Sequence, residues 1–247
     1  TLAFSASPRF FPELFGDAPA VINVKAPQYG ARGDGATDDT AAVQKALDAA
    51  RQRTLDVNGR WRKTNSGEAF EGRDKERQEK EGKTTIVLFP EGEYLISAPL
   101  RLDGAPPACY LTVIGEDRER TILRLTDNSP AFGDPRHPSA VFSFTDQPSS
   151  NISFENRIQN LTIDAGRGNP AAIGLDYISN NGGNVEYLTL RAGEGSGAIG
   201  LKMDRKLGGV SLLKHIRIEG FETGVLLDGD IIGYTFEHLS LAAQRKA

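Results

Sequence analysis

The chain has 247 residues, 38% of them hydrophobic, with 27 glycines and a formal net charge of −4. It is long enough to bury one core, its composition is rich in turn formers, and no positive field gathers phosphates, which argues against nucleic acid as a partner. The one cysteine, Cys109, has no second thiol for a disulfide or zinc site, and His137, His215 and His238 lack metal-ligand spacing, so no metal is assigned.

The opening TLAFSASPRFFPELF has no basic end followed by a long apolar stretch, so no export signal is read there. Residues 1–30 are expected to form an N-terminal arm and a first strand, with VINVKAPQYG as strand and turn. Residues 31–52 then supply a glycine-rich turn and a helix from about Thr40 to Arg51. Ala42, Val43, Ala46, Leu47 and Ala50 recur at three- and four-residue spacing, with Thr37 or Asp38 as N-cap. Residues 53–83, with WRK and GRDKERQEKEGK, hold few large apolar groups and read as a solvated insertion in which Trp61 is a local anchor. The longest apolar run, Ile86 to Phe89, is far below the ~18–20 residues that cross a bilayer.

Residues 84–247 are a repeat. IQNLTID from Ile158, VEYLTLR from Val185, LKHIRIE from Leu213 and FEHLSLA from Phe236 share apolar first, fourth and sixth positions. Between them lies a second set, Ile173-Gly174-Leu175, Ile199-Gly200-Leu201 and Val225-Leu226-Leu227. Two strands per repeat in constant register are what a parallel β-helix requires. A leucine-rich repeat fits the first set less well, because it needs Asn or Cys near the ninth position and a non-strand return. The fold class expected is all-β, a single right-handed parallel β-helix with an N-terminal capping α-helix.

INVKAPQYGARGDGATDDTAAVQKALDAA followed by FPEGEYLI resembles the start of the pectate-lyase-like superfamily of parallel β-helix proteins, which includes polygalacturonase relatives, family 55 β-1,3-glucanases and phage tailspikes. The likeness is firm over residues 21–100 and generic beyond, where the alternating strands look most like family 55. It implies that the GDGATDDT turn and its helix close the N-terminal end of the solenoid. It also implies a polysaccharide substrate outside the cytoplasm, and a secreted, periplasmic or cell-surface location. The polygalacturonase catalytic motifs are not found in the coils, and the family 55 catalytic acid belongs to a later part of the chain than these residues. Asp34, Asp38 and Asp39 are read as turn and cap formers.

Strand alternation places Thr162 and Asp164 outward, with Arg191 and Glu219 equivalent to Asp164 in the next two repeats. At ~4.8 Å per strand, Asp164 and Glu219 stand roughly 9–10 Å apart, near the upper end of the separation inverting glycosidases use. Asp164, Arg191 and Glu219 are therefore the catalytic candidates. The competing reading is a charge ladder, since a second column, Asp176, Lys202 and Asp228, alternates in the same way. Tyr177, Tyr187 and Tyr234 are candidates for stacking on sugar. Asn160, Tyr187, His215 and His238 fall at a coil corner, where an Asn can bond neighbouring backbone and the histidines can stack. No cofactor is expected, except a divalent cation such as Ca2+ if the reaction is β-elimination. The functional alternatives are a glycoside hydrolase or polysaccharide lyase, and a non-catalytic glycan-binding or structural β-helix. The last repeat begins at Phe236 without room for its second strand, so a continuation is expected in a C-terminal segment or a second chain.

Overall fold

The computed structural model describes residues 18, 20–64, 67–103, 109–144, 153–230 and 233–245, residues 60–70 by backbone only. The expected N-terminal arm through residue 17 and the side chain of Trp61 lie outside this set.

The chain runs β1 (Val21–Asn23), β2 (Asp34–Asp38), α1 (Thr40–Asn58), β3 (Arg60–Thr64), β4 (Gly67–Glu71), α2 (Lys75–Glu81), β5 (Thr85–Phe89), β6 (Gly92–Ile96) and β7 (Leu100–Arg101). It continues with β8 (Leu111–Gly115), β9 (Thr121–Leu125), β10 (Ser139–Ser143), β11 (Arg157–Asp164), β12 (Ala172–Asp176), β13 (Gly183–Arg191) and β14 (Ile199–Met203). Last come β15 (Ser211–Lys214), β16 (Arg217–Glu219), β17 (Thr223–Leu227), β18 (Tyr234–Glu237) and β19 (Ser240–Ala242).

Apart from the antiparallel β3–β4 hairpin, the described sheets are parallel. One row runs β1-β5-β8-β11-β13-β15-β18, and a separate sheet runs β7-β10-β12-β14-β17. A third row runs β2-β6-β9 and then through the second halves of β11 and β13 to β16 and β19. The long strands serve two rows because each bends at one residue: Asn160 and Tyr187 have φ of +62° and +48°. His215 and His238 take φ of +54° and +53° between the paired short strands that follow. Asn160 secures its bend by donating Nδ2–H bonds to the carbonyls of Gly115 (2.9 Å) and Glu116 (3.0 Å) in the preceding repeat.

The first strand set pairs as the spacing requires: Ile158 with Val185, Val185 with Leu213, Leu213 with Phe236. The second set needs one correction. Ile199 pairs with Thr223 and Leu201 with Val225, so the third member is Thr223-Gly224-Val225, two residues earlier than the apolar run suggests. The cause is close stacking of glycines: a Cβ on Gly174 would lie 2.7 Å from the Gly200 carbonyl oxygen, and one on Gly200 would lie 2.7 Å from that of Gly224. Lys202 therefore neighbours Leu226, and Asp228 leaves the predicted column. Thr162 is also corrected: it is buried, because the segment after β8 crosses it and the Arg118 carbonyl accepts its hydroxyl at 2.7 Å.

The inward side chains form one core, including Val87, Phe89, Tyr94, Val113, Leu123, Phe142, Ile158, Leu161, Ile163, Val185, Leu188, Leu190, Leu213 and Ile218. Helix α1 joins it through Val43, Ala46, Leu47 and Ala50, buries Val57 as well, and packs against β1 and β5 to β8. Full burial of each larger apolar side chain contributes ~1.5–3 kcal/mol. The acidic turn before it divides its work. Asp34 Oδ1 accepts the amides of Ala36 and Thr37, Asp38 Oδ1 accepts that of Thr40, and the buried Asp39 carboxylate accepts those of Arg32 (2.7 Å) and Gly33 (2.8 Å).

The helix extends to Asn58, past the boundary expected at residue 52. Arg53 makes this tolerable: its guanidinium donates to Thr85 Oγ1 (2.8 Å) and Glu81 (3.0 Å), so the charge is buried with partners. Asn58 Nδ2 likewise donates to the Lys83 carbonyl (2.8 Å). Helix α2, capped by Asp74 accepting the Arg77 amide (2.9 Å), buries no residue, in keeping with its charge-rich sequence.

Candidate functional site

Asp164, Arg191 and Glu219 occupy adjacent register positions at the ends of β11, β13 and β16. They line a cleft of about 520 Å³ together with Glu93, Arg124, Asp127, Arg167 and the backbone of Gly166, Gly193 and Gly220. Its floor requires glycine at 193, since a Cβ there would lie 2.8 Å from Arg167 Cγ and from the Gly166 carbonyl oxygen. A second opening of about 570 Å³ shares Ala192, Gly193 and Gly220 with it and adds Glu194, Glu222 and Arg245.

The carboxylates of the cleft are not equivalent. Asp164 Oδ2 accepts Arg191 Nε–H at 2.8 Å and its Oδ1 accepts the Gly166 amide at 2.9 Å. Glu93 pairs with Arg124 at 3.0 Å, and Asp127 lies 3.7 Å from the same guanidinium. Glu219, half-buried, makes no side-chain hydrogen bond or ion pair among the described residues. The site thus offers one carboxylate fixed as an acceptor and one left available for exchange with a ligand. Sequence reasoning did not find Glu93, Arg124, Asp127 or Arg167. Arg124 was within reach, because TILRL has the same alternation and places Arg124 in register with Asp164.

Asp176 and Lys202 are register neighbours on the other sheet. Asp176 is buried and saturated: Arg205 grips it through Nη1 (2.6 Å) and Nη2 (2.8 Å), and Lys202 lies 3.4 Å away. Such a bidentate clamp ties the loop after β14 to β12.

The three tyrosines do not share a face. Tyr177 is buried in the core, its hydroxyl donates to the Asn156 carbonyl at 2.7 Å, and its ring meets Phe144 edge-on, so no face is open to a sugar. Tyr187 stacks on His215 at 4.6 Å, and His215 on His238 at 4.5 Å with the rings 1° from parallel. Tyr234 packs against the core, its hydroxyl over Gly208, where a Cβ would collide with it. Cys109 is buried and accepts the Phe154 amide; burial pushes its thiol up to about 11, which leaves it protonated at neutral pH. Among the described residues no group of three or more His, Cys, Asp or Glu could hold a metal ion, and no helix is long and apolar enough to cross a membrane.

Among solved structures, the ORF18 protein of Geobacillus virus E2 is similar with a TM-score of 0.51 at 16% identity, over 94% of this chain and 49% of that one. The chain therefore spans about half the length of that viral protein. The catalytic unit of a thermostable family 87 α-1,3-glucanase from Streptomyces thermodiastaticus matches with a TM-score of 0.45 at 14% identity, over 96% of this chain and 37% of that one. The A-module of the mannuronan C-5 epimerase of Azotobacter vinelandii matches with a TM-score of 0.30 at 15% identity, over 90% of this chain and 76% of that one. No curated protein matches in sequence. Residues 21–242 match the family described as rhamnogalacturonase A/epimerase, pectate lyase-like, and the chain belongs to that family.

Proposed function

We propose that the parallel rows close into a right-handed β-helix capped at its N-terminal end by α1, and that the protein hydrolyses an extracellular polysaccharide bound along the cleft over β11, β13 and β16. The observation that carries this reading is the availability of Glu219 two strand rows from the restrained Asp164. Two rows separate the carboxylates by roughly 9–10 Å, which leaves room for a water opposite the scissile bond. In this scheme Glu219 is the group that gains and loses the proton. Asp164, held by Arg191 and the Gly166 amide, acts on the opposite side of the sugar as a base for water. Elimination is the less favoured chemistry, because Arg191, the basic side chain between them, already donates to Asp164. A polysaccharide substrate places the protein outside the cytoplasm, secreted, periplasmic or at the cell surface. Leu227, Leu239 and Leu241 stand exposed on and between the last strands, and a further repeat from this or another polypeptide would cover them.

The Asp164–Arg191 pair supports a second reading, a non-catalytic glycan-binding or structural module in which the charges only stabilise adjacent strands. A reducing-end assay across a polysaccharide panel, with and without added Ca2+, separates the two, and ultraviolet absorbance of unsaturated sugar identifies elimination. Hydrolysis that falls by orders of magnitude in both Glu219→Gln and Asp164→Asn, at nearly unchanged melting temperature, is expected. Wild-type rates in both variants refute the catalytic assignment.

A further inference from the structure

We infer that the candidate cleft selects a glycan without carboxylate or sulfate groups, and discriminates against polyuronates although three arginines line it. The inference rests on the reading of this cleft as the glycan site. Strand register sets its charges. Arg124, Asp164, Arg191 and Glu219 occupy one outward column in adjacent rows, so each cation of the column stands beside an acid. Arg191 donates to Asp164 at 2.8 Å and Arg124 to Glu93 at 3.0 Å, with Asp127 3.7 Å from the same guanidinium. Both charges are thus compensated within the chain, and a uronate could claim either only in competition with the carboxylate already beside it.

Two charged groups of the lining remain open among the described residues: Glu219, and the exposed Arg167 on the turn after β11. In all, four carboxylates face three guanidinium groups in the cleft. The proton that Glu219 carries in the hydrolytic scheme brings the cleft to balance and never to a positive charge. The groove continues over Gly193 and Gly220 into the second opening, where Glu194 and Glu222 face Arg245. Glu222 lies 3.8 Å from Arg245, and the exposed Glu194 side chain has no partner among the described residues. A polymer that follows both openings therefore meets an excess of negative charge at each. Hydroxyl groups suit such a lining, since they accept from Arg167 and donate to Glu219. A polyuronate instead brings a negative charge on every sugar, and each uncompensated like pair ~6 Å apart in water weakens binding by about threefold. Two or more such pairs along the groove amount to roughly tenfold.

Titration calorimetry of the full chain at about pH 7 and low salt tests the selection, with polygalacturonate and alginate each set beside its carboxyl-reduced form and with laminarin and galactan as uncharged probes. The reduction turns each carboxylate into a hydroxymethyl group and leaves the linkages intact. At least one uncharged or reduced polymer is expected to bind, each uronan roughly tenfold or more weaker than its reduced form, and the gap to narrow as salt rises to about 200 mM. Glu194→Gln removes an exposed, unpartnered acid from the second opening, and should tighten uronan binding about threefold while leaving the reduced forms unchanged. A uronan that binds as tightly as its reduced form, or failure of every probe to bind, overturns the inference. The hydrolytic reading fails separately. An uncharged glycan that is bound and never cleaved would refute hydrolysis and leave the selection standing, whereas reducing ends released from a uronan in preference to its reduced form would do the reverse.

Discussion

The buried Asp39 carboxylate ties the Arg32 and Gly33 amides to the start of α1, and replacing it with alanine should loosen both turn and helix. A hydrogen bond to a charged acceptor contributes ~1.5–3 kcal/mol. The two bonds share one carboxylate, and the freed amides regain some water when the turn opens, so the sum is less than twice that, about 2–4 kcal/mol. For a chain of this length each kcal/mol moves the midpoint by ~2–4 °C, giving a fall of about 5–15 °C. Asp48→Ala is the matched control: Asp48 is exposed on α1 and among the described residues accepts only from Gln44 Nε2 at 2.8 Å, so its loss should stay within ~0.5 kcal/mol. Thermal unfolding of both variants at pH 7, followed by far-ultraviolet circular dichroism, makes the comparison. An Asp39→Ala midpoint within about 2 °C of Asp48→Ala would show that the two amide bonds do not hold the turn.

The Thr37 amide, then the Ala36 amide and the Thr37 hydroxyl, hold the Asp34 carboxyl down to about 2 from 3.8. A lowered folded value means stability present above pH 3.8 and lost as pH falls towards about 2, so acid titration of the wild type should show a step there that Asp34→Asn lacks. Tyr177→Phe removes a buried hydroxyl that donates to the Asn156 carbonyl, and should cost ~1–2 kcal/mol while leaving glycan binding unchanged. Isothermal titration showing weakened binding at an unchanged melting temperature would return Tyr177 to the ligand site.

The repeat was legible because the inward positions of stacked parallel strands must be apolar in every repeat, and Ile158, Val185, Leu213 and Phe236 announce that row without help from the rest of the chain. Apolar character failed as a guide to the other sheet, where Val225-Leu226-Leu227 is the more hydrophobic run but Gly224 sets the register by its missing Cβ. Burial by a loop is invisible to strand alternation, which is why Thr162 looked exposed until Arg118 covered it. The same limit hid the placing of Tyr177, whose position after β12 carries no periodic signal but whose hydroxyl finds the Asn156 carbonyl inside. The far end of α1 was missed because Arg53 looks like solvent and is instead paired by Glu81, 28 residues away.

Stacked strands also explain why the candidate site reduces to one group. Neighbouring rows are ~4.8 Å apart, so an outward charge finds its partner in the adjacent row, and a column of negative, positive and negative leaves one acid unmatched unless a loop intervenes. On the second sheet a loop does intervene: Arg205 takes both oxygens of Asp176 while also reaching Asp204, and Lys202 lies within 3.4 Å of both acids. On the first, Arg191 donates to Asp164, Arg124 is taken by Glu93, and Glu219 is the acid without a match among the described residues. The alternation read from the sequence is therefore complete on the first sheet only, because on the second Lys202 neighbours Leu226 and Asp228 is out of register. A satisfied clamp has no spare acceptor to offer a substrate, whereas an open carboxylate in a cleft of about 520 Å³ does, and this asymmetry selects Glu219 over Asp176 as the residue on which chemistry should be sought.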